Sequence, residues 1–390
     1  MSRSYPILVK NINIFIEGDT ITNGSLLMEG SKITGVYSAE PTDLPAQTKI
    51  IDGMHLNAIP GFIDGHIHGA NGADVMDAKE EALDAMASVL PQEGTTSFLA
   101  TTITQSEESI EKALENAANY ENKPEHAEMI GIHLEGPYVE KSKAGAQPLD
   151  YIVKPNLDQF KKWQALSEGK IKTITLAPEH DEEGEFINFL AASGMNVSAG
   201  HTNAGFEGMK KAVREGVSQL THLCNAMNGI HHRDIGAVGA AFELKALRAE
   251  LIADGIHVVP EMMQLIYNNM GSERLILITD SMRAKGLPTG WYELGGQPVK
   301  VTDERAVLED DTLAGSILKM NEAARQMLQL DGVEIENIIE MAAINPAKQI
   351  GIYDKKGSIA AGKDADILLV DDEMNIKCTF CRGVMAYEGE

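Results

Sequence analysis

The chain has 390 residues, with 33 Lys and Arg against 58 Asp and Glu, for a formal net charge of −25. Its 43% hydrophobic and 23% charged composition is that of a soluble globular protein and excludes long disorder, collagen and a coiled coil. The acidic balance argues against nucleic acid or an anionic membrane as a partner, so an anionic substrate has to be met by a local basic pocket.

The length fits about two domains, or one large barrel with a small accessory domain, and a core of that size needs no staples. Met1 to Lys10 lack the apolar core of a signal peptide, and no apolar run approaches the ~18 residues of a membrane span. A cytoplasmic protein is expected. Residues 1–58 read as short strands, Ile7–Val9, Ile12–Ile16, Ser25–Met28 and Ile33–Val36, broken by Gly, Asp and Asn. From Ile59 the pattern changes. β-runs at Ile59–Ile63, Thr95–Leu99, Met129–His133, Ile171–Leu176, Met195–Ala199, Gln219–His222, Glu250–Ala253 and Leu275–Thr279 follow in order. Helical stretches lie between most of them: Lys79–Leu90, Glu107–Asn119, Leu157–Leu166, Ala204–Arg214 and Glu261–Met270. Strand then helix, eight times over, is the signature of a (β/α)8 barrel. Trp291–Leu308 reads as an inserted hairpin or two, and Ala314–Leu328 and Glu334–Ala343 as closing helices. Gly357–Ile359, Asp366–Val370 and Ile376–Ala386 return to β character. The expected fold class is α/β: a (β/α)8 TIM-like barrel over residues 59–356, inserted into a small β-sandwich domain built from both termini, 1–58 and 357–390.

The cysteines are Cys224, Cys378 and Cys381. Cys378-Thr-Phe-Cys381 has zinc-site spacing, but no second pair or nearby His completes it. It lies in a strand-like run and reads as plain buried or half-buried thiols. Sparse cysteine agrees with a reducing compartment.

Catalytic groups of such a barrel sit at the C-terminal ends of its strands, and the reactive side chains fall there. His66 and His68 follow the first run, and the third ends in His133-Leu-Glu135. The fifth ends in Gly200-His201 and the sixth in His222-Leu-Cys-Asn225; Asp254-Gly-Ile-His257 follows the seventh, and the eighth ends at Asp280. Singly, each has an ordinary structural explanation. A His after a strand is most often a satisfied core or loop residue, Glu135 would suit a loop ion pair, and Asp280 a helix N-cap. Jointly, six strands place a His, Glu or Asp at one rim, while His55 and His126 lie elsewhere. His66 and His68, at i and i+2 on an extended chain, face one side and can grip one ion. Imidazoles with a carboxylate suit Zn²⁺, Fe²⁺ or Mn²⁺. A carboxylate beside the water that such an ion acidifies is the natural general base.

The motifs Pro60-Gly-Phe-Ile-Asp-Gly-His-Ile-His-Gly69, His133-Leu-Glu-Gly-Pro137, Ala199-Gly-His-Thr202, Thr221-His-Leu-Cys-Asn-Ala-Met227, Ala253-Asp-Gly-Ile-His257 and Thr279-Asp-Ser-Met282 occur in this order. The set resembles the amidohydrolase superfamily and, within it, the N-acetylglucosamine-6-phosphate deacetylase family. The resemblance implies hydrolysis of the acetamide of N-acetyl-D-glucosamine 6-phosphate to D-glucosamine 6-phosphate and acetate, in amino-sugar catabolism and recycling. It implies that Glu135, His201 and His222 hold a principal metal, that His66 and His68 hold a second with Glu135 bridging, and that Asp280 is the general acid/base. Zn or Fe is the implied metal, with Mn or Co as alternatives, at one or two ions per subunit. Asn225, Ala226, Arg233 and His257 match the residues that hold the sugar phosphate. His231-His232-Arg233 is a local basic patch on an acidic protein, and a guanidinium offers phosphate a planar fork. The alternative is a surface Arg233 paired with Asp234. In the family this segment reaches towards a dimer contact, which implies a homodimer.

Some members of the family replace the His-x-His and hold one metal; this chain keeps both histidines. Those members carry a His in the loop after the Glu motif, where Gln147 stands here as a candidate substrate contact. Glu179-His180 reads as a supporting pair at the rim. Cyclic-amide hydrolases of the superfamily use a carboxylated Lys on strand four, which here ends Thr175-Leu-Ala-Pro-Glu179 without one. Two other readings stay open: the same chemistry on an epimer such as N-acetylgalactosamine 6-phosphate, and a metal-free scaffold, which should have lost ligands that this chain retains.

Overall fold

The computed structural model describes residues 5–389. The chain opens with β1 (Ile7–Ile16), β2 (Asp19–Glu29), β3 (Lys32–Tyr37), β4 (Lys49–Asp52) and β5 (Asn57–Pro60). The two runs read in residues 7–16 are one strand. Its register shifts between Lys10 and Ile12, where Asn11 takes φ 56°, a left-handed conformation that Asn tolerates better than most residues. The barrel follows: β6 (Phe62–Ile67), a two-residue hairpin β7 (Gly69–Ala70) and β8 (Ala73–Asp74), then β9 (Thr95–Thr101), β10 (Glu128–Glu135), β11 (Ile171–Leu176), β12 (Asn196–Ala199), β13 (Gln219–Leu220), β14 (Arg248–Ile252) and β15 (Leu275–Ile278). Its eight strands run in parallel in the order β15-β14-β13-β12-β11-β10-β9-β6. A parallel bridge between Ile67 and Ser281 joins the two edges, so the barrel expected from the alternation closes.

The expected run Ile59–Ile63 is divided between two sheets. Asn57–Pro60 belongs to the terminal sheet, Gly61 intervenes, and the first barrel strand begins at Phe62. The apolar run is continuous because β5 and β6 are both buried, so hydrophobicity alone marks no border. The helices are α1 (Glu80–Val89), α2 (Glu107–Asn119), α3 (Leu157–Leu166), α4 (Glu185–Ala192), α5 (Phe206–Glu215), α6 (Gly236–Glu243) and α7 (Pro260–Met270). Sequence reading missed α4 and α6. Helix α4 follows a left-handed Gly184 with no side-chain cap. In α6 every residue from Gly236 to Ala241 is buried, so it lacks the polar face that gives a helix its periodic pattern.

The insertion is a three-stranded sheet of β16 (Gly290–Leu294), β17 (Gln297–Val301) and β18 (Ala306–Val307). Helix α8 spans Met320–Leu328 rather than starting at Ala314, because residues 314–316 make bridges back to β18 and to Ser281. Helix α9 (Ile335–Ile339) continues through a π turn at Glu340–Ile344 into α10 (Asn345–Gln349). Gly357–Ile359, expected as β, is irregular. The chain ends in β19 (Ile367–Val370), β20 (Ile376–Cys381) and β21 (Val384–Glu388). Strands from both termini form one continuous sheet, β21-β20-β19-β5-β1-β2-β3, with β4 beside β1. Lys32 bridges back to Asp364, so the sheet curls on its own core of Val9, Ile14, Leu26, Ile33, Ile367 and Phe380. Cys378 and Cys381 are free thiols on β20; three residues apart on a strand, they point to opposite faces.

A buried ion cluster ties the sheet to the barrel. Lys356 Nζ lies 2.7 Å from Glu128 at the start of β10, 2.5 Å from Asp366 and 3.3 Å from Asp364, with its side chain 6% exposed. Removing one partner of such a cluster strands the others without compensation, at a cost of about 3–5 kcal/mol. Lys356→Met should therefore lower unfolding free energy in urea by about that much while leaving the metal content of the folded protein unchanged. A loss under about 1 kcal/mol would show that the cluster is not what joins the two parts.

Candidate active site

Ligand-type side chains gather at the C-terminal mouth of the barrel because five of its strands deliver them there. His66 lies at the end of β6 with His68 just beyond, and Glu135 is the last residue of β10. His201, His222 and Asp280 follow β12, β13 and β15 by two residues each. These three adopt left-handed backbone, with φ of 46°, 32° and 49°. Residues with a Cβ reach that region at a cost of order 1–3 kcal/mol each, and it is common at functional sites. The sharp turn takes the chain off the strand while leaving the side chain over the barrel mouth.

Glu135 is the hub. Its Oε1 lies 3.2 Å from His201 Nε2 and 3.2 Å from His222 Nε2, and those two nitrogens are 3.1 Å apart. Zinc bonds N and O ligands at about 2.0–2.2 Å, so neighbouring ligand atoms of a tetrahedral ion stand about 3.3–3.5 Å apart. The triangle fits one ion with an open side. A second set adjoins it. Asp280 Oδ1 is 3.2 Å from His68 Nε2 and 3.5 Å from His66 Nε2. Glu135 reaches this set with both oxygens, Oε1 at 3.5 Å from His66 Nε2 and Oε2 at 3.4 Å from His68 Nε2. All six side chains are buried.

The electrostatics follow from that crowding. Burial alone would push the Glu135 carboxyl up, but the His66 charge and the hydrogen bonds from His201 and His222 hold it well below the usual carboxylate range. Burial would raise Asp280 too; the charged His66 and a hydrogen bond from His68 override it and set it at about 2. Burial would lower His66, yet the charges of Asp280, Glu135 and Glu250 raise it to about 10. His133 goes the other way. Burial, with the His66 charge adding to it, takes its pKa well below the ordinary value. Its Nδ1 faces Gly65 O at 3.2 Å and its Nε2 faces Thr175 Oγ1 at 2.7 Å.

Surrounding groups hold the ligands. His201 Nδ1 donates to Lys143 O at 2.9 Å. Gln147 accepts from the Thr104 N–H at 2.9 Å and donates through Nε2 to Glu135 Oε2 at 2.6 Å, so its amide orients the hub carboxylate. Glu179 accepts from Thr202 Oγ1 and the Asn203 N–H, bracing the turn after His201. Glu250, which sequence reading did not single out, faces His66 Nδ1 at 3.0 Å. The available signal was a lone acid within the apolar run Ala249–Ala253. The Asp254 carboxylate takes His257 Nδ1 at 2.6 Å.

A cavity of about 480 Å³ opens above these groups, and Gln147, Asn225, Ala226 and His257 are among the residues that line it. His232 and Arg233 do not line it. They are exposed, with Arg233 Nη1 2.7 Å from His232 Nε2. Asp234 instead caps the turn by accepting from the Phe206 and Gly236 N–H groups, so the alternative Arg233–Asp234 pair does not form.

The His66 charge implies a pH dependence for chelator-treated protein. Its folded pKa of about 10 exceeds the ordinary 6.5. The stabilisation is therefore fully present below pH 6.5 and is lost as pH rises through about 10, falling by about 1.4 kcal/mol per pH unit within that window. Denaturant unfolding of the chelated protein between pH 7 and 9 should show this slope, and His66→Asn should lack it. Equal slopes would show that His66 is neutral in the folded protein.

The sequence matches the amidohydrolase family over residues 57–386. It is 46% identical over 385 residues to an N-acetylglucosamine-6-phosphate deacetylase of Bacillus subtilis (strain 168), covering 98% of this chain and 97% of the relative. An N-acetylgalactosamine-6-phosphate deacetylase of Escherichia coli O157:H7 is 34% identical, covering 84% of this chain and 87% of the relative. Among solved structures, the N-acetylglucosamine-6-phosphate deacetylase of Thermotoga maritima superposes with a TM-score of 0.87 at 34% identity, covering 98% of this chain and 100% of the other.

Proposed function

The chain belongs to the amidohydrolase family, and from that premise we propose that it hydrolyses the acetamide of N-acetyl-D-glucosamine 6-phosphate to D-glucosamine 6-phosphate and acetate. The observation that carries this reading is the Glu135–His201–His222 triangle, with the ionised Asp280 across from it at the floor of one cavity. Glu135, His201 and His222 would hold the principal ion, and His66 and His68 a second with Glu135 between them. Imidazole and carboxylate donors suit Zn or Fe, with Mn or Co as alternatives. Such an ion, when bound, polarises the acyl oxygen and acidifies water.

The chain's own groups supply the rest. Asp280, a carboxylate at neutral pH, takes a proton from the attacking water as the oxygen adds to the acyl carbon. It returns that proton to the nitrogen as the C–N bond breaks, so one group serves as base and then as acid. Gln147 orients Glu135, and its place on the cavity wall also suits contact with the acetamide. Asn225, Ala226 and His257 line the side where the sugar would sit, with His257 fixed by Asp254. Arg233 lies outside its own cavity. We assign it, with His232, to the phosphate bound in the partner's cavity of a homodimer; its exposure beside Ile230, which is 51% exposed, suits a contact between copies. The chain has no described helix long and apolar enough to cross a membrane, and a sugar-phosphate substrate favours the cytoplasm. The glucosamine epimer is preferred over galactosamine because the corresponding relative is 46% rather than 34% identical. Retention of every ligand position argues against a scaffold that has lost its metals.

Asp280→Asn should keep metal content and fold while losing about 10²–10⁴-fold in turnover, the usual contribution of general acid/base catalysis. A loss below tenfold would remove Asp280 from the role, and wild-type protein that turns over the galactosamine epimer faster would overturn the substrate.

Arg233→Ala should raise KM for the phosphorylated sugar about ten- to a hundred-fold, the worth of a charged hydrogen bond. It should scarcely change turnover of unphosphorylated N-acetylglucosamine. Mixed dimers of Arg233→Ala and Asp280→Asn subunits should recover activity, because one cavity then has both residues intact. No recovery would place Arg233 on its own subunit's site or on none.

A further inference from the structure

Glu250 is a buried carboxylate that the proposed chemistry does not use. It stands in β14 between Ala249 and Leu251 and is 1% exposed. It meets three donors. Its Oε2 takes His66 Nδ1 at 3.0 Å and the main-chain N–H of His222 at 3.2 Å; its Oε1 takes Gln219 Nε2 at 2.7 Å. Gln219 is itself oriented by Asn196, whose Nδ2 donates to Gln219 Oε1 at 3.0 Å. One carboxylate oxygen thus touches a proposed ligand from each of two metal positions.

We infer that Glu250 is a positioning residue that couples the two metal positions. It takes a hydrogen bond from His66 Nδ1, which fixes the ring with Nε2 turned towards Glu135 and Asp280. With the same oxygen it pins the left-handed turn that aims His222 at the principal position. A carboxylate behind a ligating imidazole fixes the ring and raises its basicity, and losing such a partner weakens metal binding about 10–100-fold. His66 is treated differently from its neighbours. His201 is held by a neutral carbonyl, that of Lys143, and His68 Nδ1 is buried with no hydrogen-bond partner. The effect of Glu250 should therefore fall mainly on the ion held by His66 and His68. A third metal position among His66, His133 and Glu250, which lie close enough to suggest one, is ruled out by bonding: both ring nitrogens of His133 are engaged by Gly65 and Thr175.

The inference rests on the proposed metal positions, and the test separates the two. Metal-free full-length protein is titrated with Co²⁺, with bound metal counted by elemental analysis after equilibrium dialysis. Wild-type protein should take up two ions in two steps. Glu250→Gln, which keeps the shape and removes the charge, should weaken the second step about 10–100-fold and the first by less than tenfold. Equal weakening of both steps, or none, would overturn the coupling role and leave Glu250 as a core group. Wild-type protein that binds a single ion would overturn this inference alone, whereas wild-type protein that binds none would overturn the proposed function. If Glu250→Gln does not fold, Gln219→Met removes the donor that holds the far oxygen and should shift the second step in the same direction; no shift there counts against the inference.

Discussion

Everything at the barrel mouth depends on satisfying the carboxylate of Glu135 where water cannot reach it. The residue is 2% exposed, and its side-chain partners are His66, His68, His201, His222 and Gln147, with no Lys or Arg among them. An isolated buried charge costs several kcal/mol. Positive charge must come either from protons on the imidazoles or from ions that replace those protons. The raised pKa of His66 and the depressed pKa of Glu135 express the first solution. Metal binding is the second, and the two compete for the same nitrogens. The protein has therefore built a place where a divalent ion relieves a cost that the fold already bears.

That placement is possible because parallel strands of a closed barrel end at one level and aim inward. No local segment could do it: Glu135 and His222 are 87 residues apart in sequence yet 3.2 Å apart in space. The left-handed turns at His201, His222 and Asp280 are part of the same device, a local backbone cost borne by strands whose hydrogen bonds leave them no freedom to relax. Beneath the ligands runs a layer of short polar side chains. His133, Thr175, Thr221 and Ser198 are linked at 2.7, 2.7 and 2.6 Å, so the barrel interior under the site is polar yet satisfied. Such a network holds the ligand-bearing strands in register while leaving no buried hydroxyl of this chain of contacts without a partner.

The side chains that gather at the barrel mouth were legible in the sequence because their chemistry is rare and their position is punctuated. A His or an acid directly after a β-run stands out against apolar neighbours, and six such endings in order define a rim. The supporting groups were less legible, for a physical reason. Glu250 opens the expected run Glu250–Ala253 instead of following its end, and nothing local says that barrel closure will bring it to His66, 184 residues earlier. Gln147 was visible as a polar residue in a loop after Glu135, but its partner depends on Thr104 turning its amide. The border between the terminal sheet and the barrel was blurred at Ile59–Ile63 because β5 and β6 are equally buried and only Gly61 separates them. Helix α6 escaped because Gly236–Ala241 are buried on every side, which erases the amphipathic pattern. What the sequence states plainly is which atoms can react; what it states poorly is which neighbours hold them still.

The net charge of −25 opposes a dianionic sugar phosphate, but screening limits the reach of that charge. At physiological ionic strength the Debye length is about 8 Å, so acids scattered over the far surface contribute little at the cavity. The field that a substrate meets is set by the groups within a few ångströms. At the floor these are imidazoles and the ions they would carry; at the wall they are Asn225, Ala226, His257 and one ammonium, that of Lys143. A dianion held there by a single point charge with amide and imidazole contacts lacks the bidentate fork that a guanidinium adds. No guanidinium lines the cavity of one subunit, while an exposed Arg233 stands outside it beside an exposed Ile230. A second copy of the chain would meet both needs at once, covering the apolar residue and adding a guanidinium to the Lys143 ammonium.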